Sequence, residues 1–304
     1  MNAIEIRDLS KSFRSMYAVD HLSMTVPQGA IYGFIGENGS GKSTTMKLIC
    51  GHLVPDGGEI RLFGKDYTDP GVRVRVGALI ENAGCFPGAS VYQNLMMQCI
   101  NLGIENADEE IRRVLGIVRM EEHASLKFKK CSLGMKQRIG IAMALLGDPA
   151  LLILDEPING LDTDGMRIMR EILTDITQKY GCTVLISSHI LGELEKIATH
   201  YGIIREGKMV SELSAEEMDA RAQVFVSLKT KDTEGARRVL EASFDSVRTE
   251  GECLRVYDVE DTAAVVDVLM KNGHVPQEIR KNKIGLEEYY VELMTRPANE
   301  SEAE

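Results

Sequence analysis

Several short stretches of this sequence carry residues whose types and spacing could do chemistry on a phosphate. The first is GENGSGKST, residues 36–44, in which Gly36, Lys42 and Ser43 fit the pattern GxxxxGK[ST]. Glycines permit backbone conformations that turn successive N–H groups toward one anion, and a following helix adds its positive end. The stretch predicts a phosphate cradle, with the lysine on the β- and γ-phosphates and the serine on Mg²⁺. The alternative is a structural turn.

The second stretch is LLILDEP at residues 151–157, an apolar run that ends in two acids. Asp155 is expected to hold hydrated Mg²⁺, and Glu156 is placed to accept a proton from an attacking water. The alternative is a pair of solvated acids at the end of a strand, which the upstream glycine loop disfavours.

Two further stretches offer groups that could contact an anion. In CSLGMKQR, residues 131–138, Ser132 is expected to cap a helix whose start contains Gly134. Such a helix start offers hydroxyl and backbone donors, although taken alone it is only a helix cap. His189 follows the apolar run TVLISS. It lies where a γ-phosphate sensor would lie, although a lone histidine after a buried strand is more often structural.

The elements around these stretches predict an α/β fold. Short apolar runs such as AIYGFI, LLIL and TVLIS are typical of strands buried on both faces of a sheet. A helix predicted over Thr163–Tyr180 separates two of them and implies a right-handed parallel crossover. The stretches IEIRDLSKSF and HLSMTV predict strands, a helix is expected from Ser43 to Cys50, and helical periodicity over about 89–147 predicts an insertion.

The composition shifts after about Leu213, which predicts a domain boundary, with one domain over residues 1–214 that contains all four stretches. Residues 215–296 predict the order strand, helix, strand, strand, helix, strand, helix. The first six of these elements match a split βαβ pattern and indicate a small α+β domain. The remaining residues, 297–304, have no apolar pattern and are expected to form an acidic disordered tail.

Bulk properties restrict the class of function. The chain has 304 residues and a net charge of −11, the wrong sign for a general nucleic-acid surface. Its six cysteines show no CxxC spacing, so we expect buried reduced thiols rather than metal ligands or disulfides. The N-terminus does not resemble a signal peptide, and no apolar stretch is long enough to span a membrane. A role at a membrane would therefore require a partner.

The four stretches, in this order, resemble the nucleotide-binding domain of ABC-type ATPases over roughly residues 1–215. The resemblance implies a P-loop core with a mainly parallel sheet, an antiparallel β subdomain and a helical insertion. It also implies ATP and Mg²⁺ as ligands and ATP hydrolysis as the activity. The implied ATP-binding residues are Phe13 (stacked on adenine, unless it is an ordinary strand aromatic), Gly36, Asn38, Gly39, Ser40, Gly41, Lys42, Ser43 and Thr44.

The same resemblance assigns the remaining site residues. Catalytic roles fall to Glu156 as the base, His189 as the switch histidine and Lys42. The signature loop is Ser132, Leu133, Gly134 and Met135, and the D-loop ends at Asp162. The implied metal-site residues are Ser43, Asp155 and Glu81.

Partners also follow from the resemblance. Two such domains meet head to tail, so the signature loop serves the ATP of a second copy or a close homologue. An integral membrane permease subunit, contacted through the region from Glu81 to Asn94, would place the chain at the cytoplasmic face of the membrane. No nucleic-acid partner is expected.

Two departures from the common pattern indicate a subtype. Glu81, in LIEN, stands where glutamine is usual, and the signature is CSLGM where LSGGQ is commonest. Both features resemble bacterial exporters of the bacitracin-resistance and lantibiotic-immunity type, which suggests export of a peptide or lipid-like compound.

Two alternatives remain at this point. A soluble ABC ATPase of translation or DNA repair would usually carry tandem nucleotide domains, long coiled-coil insertions or zinc sites, and this sequence has none of these. A catalytically silent assembly module is disfavoured because Lys42, Asp155, Glu156 and His189 are all present.

Overall fold

The computed structural model describes residues 1–221, 223–259 and 261–295, and the chain divides into two units, Met1–Ala215 and Glu216–Glu304. The predicted acidic tail, 297–304, lies outside the described residues. None of the described helices combines the length and the apolarity that crossing a bilayer would require. All six cysteines are free, with Cys99, Cys131 and Cys182 buried and the other three partly exposed.

The first unit contains the strands of two sheets. They are β1 (Asn2–Phe13), β2 (Met16–Pro27), β3 (Ile31–Ile35), β4 (Gly57–Leu62), β5 (Lys65–Asp66), β6 (Val76–Leu79), β7 (Leu151–Leu154), β8 (Thr183–Ser188), β9 (His200–Arg205) and β10 (Lys208–Ser214). One sheet is antiparallel, in the order β2-β1-β4-β5, and the other is six-stranded, in the order β10-β9-β3-β8-β7-β6.

The six-stranded sheet is parallel except where β9 pairs with β10. Every residue of β3, β7 and β8 is buried, as expected for strands covered on both faces. Because β3, β6, β7 and β8 run in one direction, their carboxyl ends meet at one edge of the sheet. The residues that follow them therefore lie together, which is where open α/β sheets bind ligands.

The helices of the first unit are α1 (Lys42–Ile49), α2 (Pro70–Arg73), α3 (Val91–Leu102), α4 (Ala107–Ile117), α5 (Leu133–Leu145), α6 (Thr163–Tyr180) and α7 (Leu191–Leu194). Local sequence sets their ends. Ser90 and Gln93 form a capping box at the start of α3, and Gly103 ends it with a φ of 69°. Helices α3 to α5 lie between β6 and β7, in the range of about 89–147 for which helices were predicted, and α6 has the predicted bounds.

Strand β6 was not predicted, because it has only four residues and contains a glycine, which normally weakens a strand. The structure explains the glycine. A Cβ on Gly77 would lie only 1.9 Å from the backbone oxygen of Ala144, because α5 packs closely against β6 at this position. Tertiary contact therefore places this strand, and the local pattern does not reveal it.

The second unit contains α8 (Ala215–Arg221, which begins at the boundary), β11 (Val224–Thr230), α9 (Thr233–Glu241), β12 (Val247–Glu250), β13 (Cys253–Tyr257), α10 (Thr262–Lys271), β14 (Pro276–Lys283) and α11 (Leu286–Thr295). Its sheet is antiparallel, in the order β12-β13-β11-β14. Apolar residues of α9 and α10, such as Leu240 and Leu269, pack with Val226 and Val256 of the sheet. The split βαβ pattern is confirmed, and α8 is an element that was not predicted.

Candidate functional site

The glycine-rich stretch of residues 36–43, the predicted phosphate loop, connects the buried strand β3 to α1. Gly39 and Gly41 have φ values of 83° and 107°, a region that side chains other than glycine rarely adopt. A Cβ on Gly41 would also lie 2.3 Å from the backbone oxygen of Ala18. The loop conformation therefore depends on its glycines. Asn38 lies exposed on the loop, and Thr44 is half-buried in the first turn of α1.

Buried donors line the inside of this loop. The Nζ atom of Lys42 donates to the backbone oxygens of Gly36 at 2.7 Å and Glu37 at 2.9 Å. Burial lowers the pKa of Lys42, whereas the nearby carboxylates, Glu156 first, act in the opposite direction. The Ser40 hydroxyl is buried and has no hydrogen-bond partner within the described part of the chain. Buried donors of this kind fit a ligand rich in acceptor oxygens, such as a polyphosphate.

Asp155 follows β7 and is held from two sides by hydroxyl groups. Ser43 Oγ donates to its Oδ2 at 2.6 Å, and Ser187 Oγ donates to its Oδ1 at 2.6 Å. Ser187 Oγ also accepts a hydrogen bond of 2.8 Å from the backbone N–H of Glu156. A hydroxyl and a carboxylate are oxygen ligands of the kind that Mg²⁺ takes, so these residues fit a magnesium ion.

Ser187 was not among the predicted site residues. It is fully buried at the end of β8, two residues before His189. The signal available in the sequence was the pair of serines in TVLISSH, because hydroxyls at the end of an apolar strand require a polar partner.

The predicted base and the predicted switch residue are in contact. His189 Nδ1 lies 2.8 Å from Glu156 Oε2. Glu156 has a φ of 51°, an uncommon conformation for a residue other than glycine. About a quarter of the Glu156 side chain is exposed, and its carboxylate is oriented by the histidine beside it and by a backbone conformation that the surrounding contacts must maintain.

The other predicted residues are placed at the ends of elements. Phe13 is 49% exposed at the end of β1 and pairs across the hairpin with Met16. Glu81, just beyond β6, accepts a hydrogen bond of 2.6 Å from Lys47, which holds the pKa of the Glu81 carboxyl below its usual value. Its part in a metal site stays a prediction.

The predicted signature loop and D-loop each begin a helix. Ser132 caps α5 and accepts a hydrogen bond of 3.3 Å from the backbone N–H of Met135. Leu133 is 49% exposed, and Gly134 is half-buried. Asp162 caps α6 by accepting from the Gly165 N–H at 2.8 Å. Their roles toward a second nucleotide-binding domain stay predictions.

Comparison with known proteins agrees with this geometry. Residues 19–159 match the model of the ABC transporter family. The chain is 36% identical over 301 residues to the bacitracin transport ATP-binding protein BcrA of Bacillus licheniformis, covering 96% of this chain and 97% of that protein. It is 36% identical over 222 residues to the lantibiotic transport ATP-binding protein SrtF of Streptococcus pyogenes, covering 73% and 95%.

Solved structures show the same fold. The cbiO1 structure from Clostridium perfringens, part of the ABC transporter complex cbiONQ, aligns with a TM-score of 0.66 at 25% identity and covers 72% of this chain and 91% of that chain. The ATP-binding cassette MJ0796, in a dimeric post-hydrolysis state bound to ADP and Pi, aligns with a TM-score of 0.64 at 20% identity, covering 70% and 98%.

These relatives favour a transporter subunit over a soluble ABC ATPase that acts in translation or DNA repair. The loop of residues 36–43, the acids Asp155 and Glu156 after β7 and the capped helix α5 lie in the fold that such ATPases share. The chain therefore belongs to the ABC transporter family, as an ATP-binding subunit that hydrolyses ATP.

Proposed function

We propose that this chain drives a bacterial exporter of a peptide antibiotic or a lipid-like compound, using Mg²⁺-dependent ATP hydrolysis. The observation that carries the proposal is the arrangement of Ser43, Asp155 and Glu156 at one edge of the sheet. The class of transported compound is supported by the similarity, over 96% of this chain, to a bacitracin transport ATP-binding protein.

In this proposal the phosphate loop and Lys42 bind the phosphates of ATP. Ser43 and Asp155 would hold Mg²⁺, which supplies charge neutralisation on the β- and γ-phosphates when bound. Glu156 accepts a proton from the attacking water, and His189 orients its carboxylate through the contact of 2.8 Å. Phe13 offers a half-exposed ring against which the adenine base can stack.

The proposal requires two kinds of partner. Ser132 and Gly134 would contact the ATP held by a second copy or a close homologue, so that ATP joins the two domains and hydrolysis separates them. A membrane permease subunit would bind around the segment from Glu81 to Asn94. Within it Phe86 is 62% exposed, and the buried side chain of Asn94 fixes its backbone through hydrogen bonds of 2.7 and 3.2 Å. Such a subunit would hold the chain at the cytoplasmic face of the membrane.

The test is to tag the full chain carrying Glu156→Gln, express it in the cell of origin and extract it in mild detergent. This change retains the shape of the side chain but removes the base, so ATP should be bound and not hydrolysed. We expect a polytopic membrane protein to co-purify in stoichiometric amount, and less of it with Lys42→Ala, which weakens ATP binding. Recovery of ribosomes, nucleic acid or soluble proteins alone would refute the exporter proposal.

A further inference from the structure

One face of α1 carries two side chains that contact carboxylates at the edge of the sheet where β6 and β7 end. Ser43 and Lys47 are four residues apart and therefore lie one above the other on the helix. Ser43 Oγ donates to Asp155, while Lys47 Nζ donates to Glu81 Oε1 at 2.6 Å. The same helix that begins at the phosphate loop thus also holds the carboxylate that replaces the usual glutamine.

Glu81 is held in a strained turn. The backbone N–H of Asn82 donates to the oxygen of Ile80 at 3.0 Å, which closes a three-residue turn around Glu81. The φ of Glu81 is 67°, so the turn has the rare and strained form. Such conformations persist only where surrounding contacts maintain them. The ion pair with Lys47 is a contact of this kind, because it fixes the side chain of the central residue.

Glu81 also adds charge to an edge that is already acidic. Strands β6 and β7 are paired in register, with Leu79 opposite Leu154. Glu81 is two residues beyond Leu79, and Asp155 and Glu156 come directly after Leu154. The ammonium group of Lys47 supplies a cation to this third carboxylate, and solvent reaches both partners, because 32% of the Lys47 side chain and 64% of the Glu81 side chain are exposed.

We propose that Lys47 is a positioning residue for Mg²⁺ and ATP: it fixes the Glu81 carboxylate in its turn and offsets its charge beside Asp155 and Glu156. The inference rests on the proposed function, because it assumes a nucleotide and magnesium site at this edge. It assigns a role to a lysine outside the phosphate-loop pattern. It also explains how this chain accommodates glutamate in place of an uncharged glutamine.

The test titrates a fluorescent ATP analogue into the full-length protein at a saturating Mg²⁺ concentration. Lys47→Gln should raise the half-saturating analogue concentration about threefold to fivefold, because the uncompensated Glu81 carboxylate then repels the anionic nucleotide. Lys47→Arg keeps the charge and should restore most of the affinity. Glu81→Gln added to Lys47→Gln should bring the value back toward wild type, because the uncompensated carboxylate is then removed.

The matched control is Lys179→Gln. Lys179 forms an ion pair of 3.0 Å with Asp175 on α6, so this variant loses a comparable surface contact, and its affinity for the analogue should be unchanged. Strictly additive effects of Lys47→Gln and Glu81→Gln, or an equal shift in Lys179→Gln, would overturn the role of Lys47. The proposed function has a separate check. If Lys42→Ala bound the analogue as tightly as wild type, the nucleotide site itself would be wrong, and both proposals would fail.

Discussion

Replacing Ser187 by alanine should separate catalysis from folding. The buried hydroxyl donates to Asp155 Oδ1 at 2.6 Å and accepts from the Glu156 N–H at 2.8 Å. A buried polar group left without its partner costs about 1–3 kcal/mol. Because Asp155 and Glu156 are half-buried, water can replace part of each contact. We therefore expect a loss of about 2 kcal/mol in the free energy of unfolding.

The effect on hydrolysis should be larger than this loss of stability suggests. Ser187 joins the carboxylate assigned to Mg²⁺ to the backbone of the assigned base, so both groups move when it is removed. Misplacement of a reacting group by about 1 Å lowers rates by roughly 100-fold. We expect kcat for ATP to fall by about 10- to 100-fold. Phosphate release measures kcat, and urea unfolding measures stability.

Thr183→Val is the matched control on the same strand. Thr183 is also buried, and its hydroxyl accepts a hydrogen bond of 3.0 Å from the Gly29 N–H at the opposite end of β8. This variant should lose stability and keep kcat. The reasoning is refuted if Ser187→Ala turns over ATP at the wild-type rate, or if Thr183→Val loses as much activity.

Two further predictions concern the hairpin of β1 and β2. Phe13→Ala should weaken ATP binding by about tenfold, because one stacking contact with the base is lost, and Phe13→Tyr should retain the affinity. A nucleotide titration in which Phe13→Ala matches wild type would exclude stacking. Hydrogen bonds from Lys11 and Ser12 hold the pKa of Asp56 well below its usual range. Asp56 therefore stabilises the fold fully above about pH 4 and progressively less as pH falls through its lowered pKa. Asp56→Asn should lower the free energy of unfolding at pH 7 and less at pH 3.5, and an equal loss at both values would show that charge is not involved.

The sequence predicted the parts of the fold that local patterns determine. Helix α6 begins after the capping residue Asp162 and ends before Gly181, and both signals are readable in the chain. Strands β3, β7 and β8 are continuous apolar runs. Strand β6 was missed because its glycine weakens the local strand pattern, and the residue whose close approach requires that glycine, Ala144, lies far along the sequence from Gly77.

The candidate site divides in the same way. The glycine loop and the acids after β7 could be found because their spacing follows one strand or one helix start. Ser187 and Lys47 were not found, because each acts on a residue from another element, Asp155 and Glu81 respectively. Such contacts between elements require the register of the sheet, which a pattern within one strand cannot supply.

The order of the six-stranded sheet has a consequence for how the chain is made. The early strand β3 pairs on both sides with late strands, Ile31 with Val184 and Tyr32 with His200. Until the ribosome has added β8 and β9, β3 has no strand to pair with on either edge. Pairing across such long intervals closes large loops and is slow. The nascent chain therefore carries β3 with at least one unpaired edge until residue 205 has been added, and the nucleotide site cannot be complete before His189 is made.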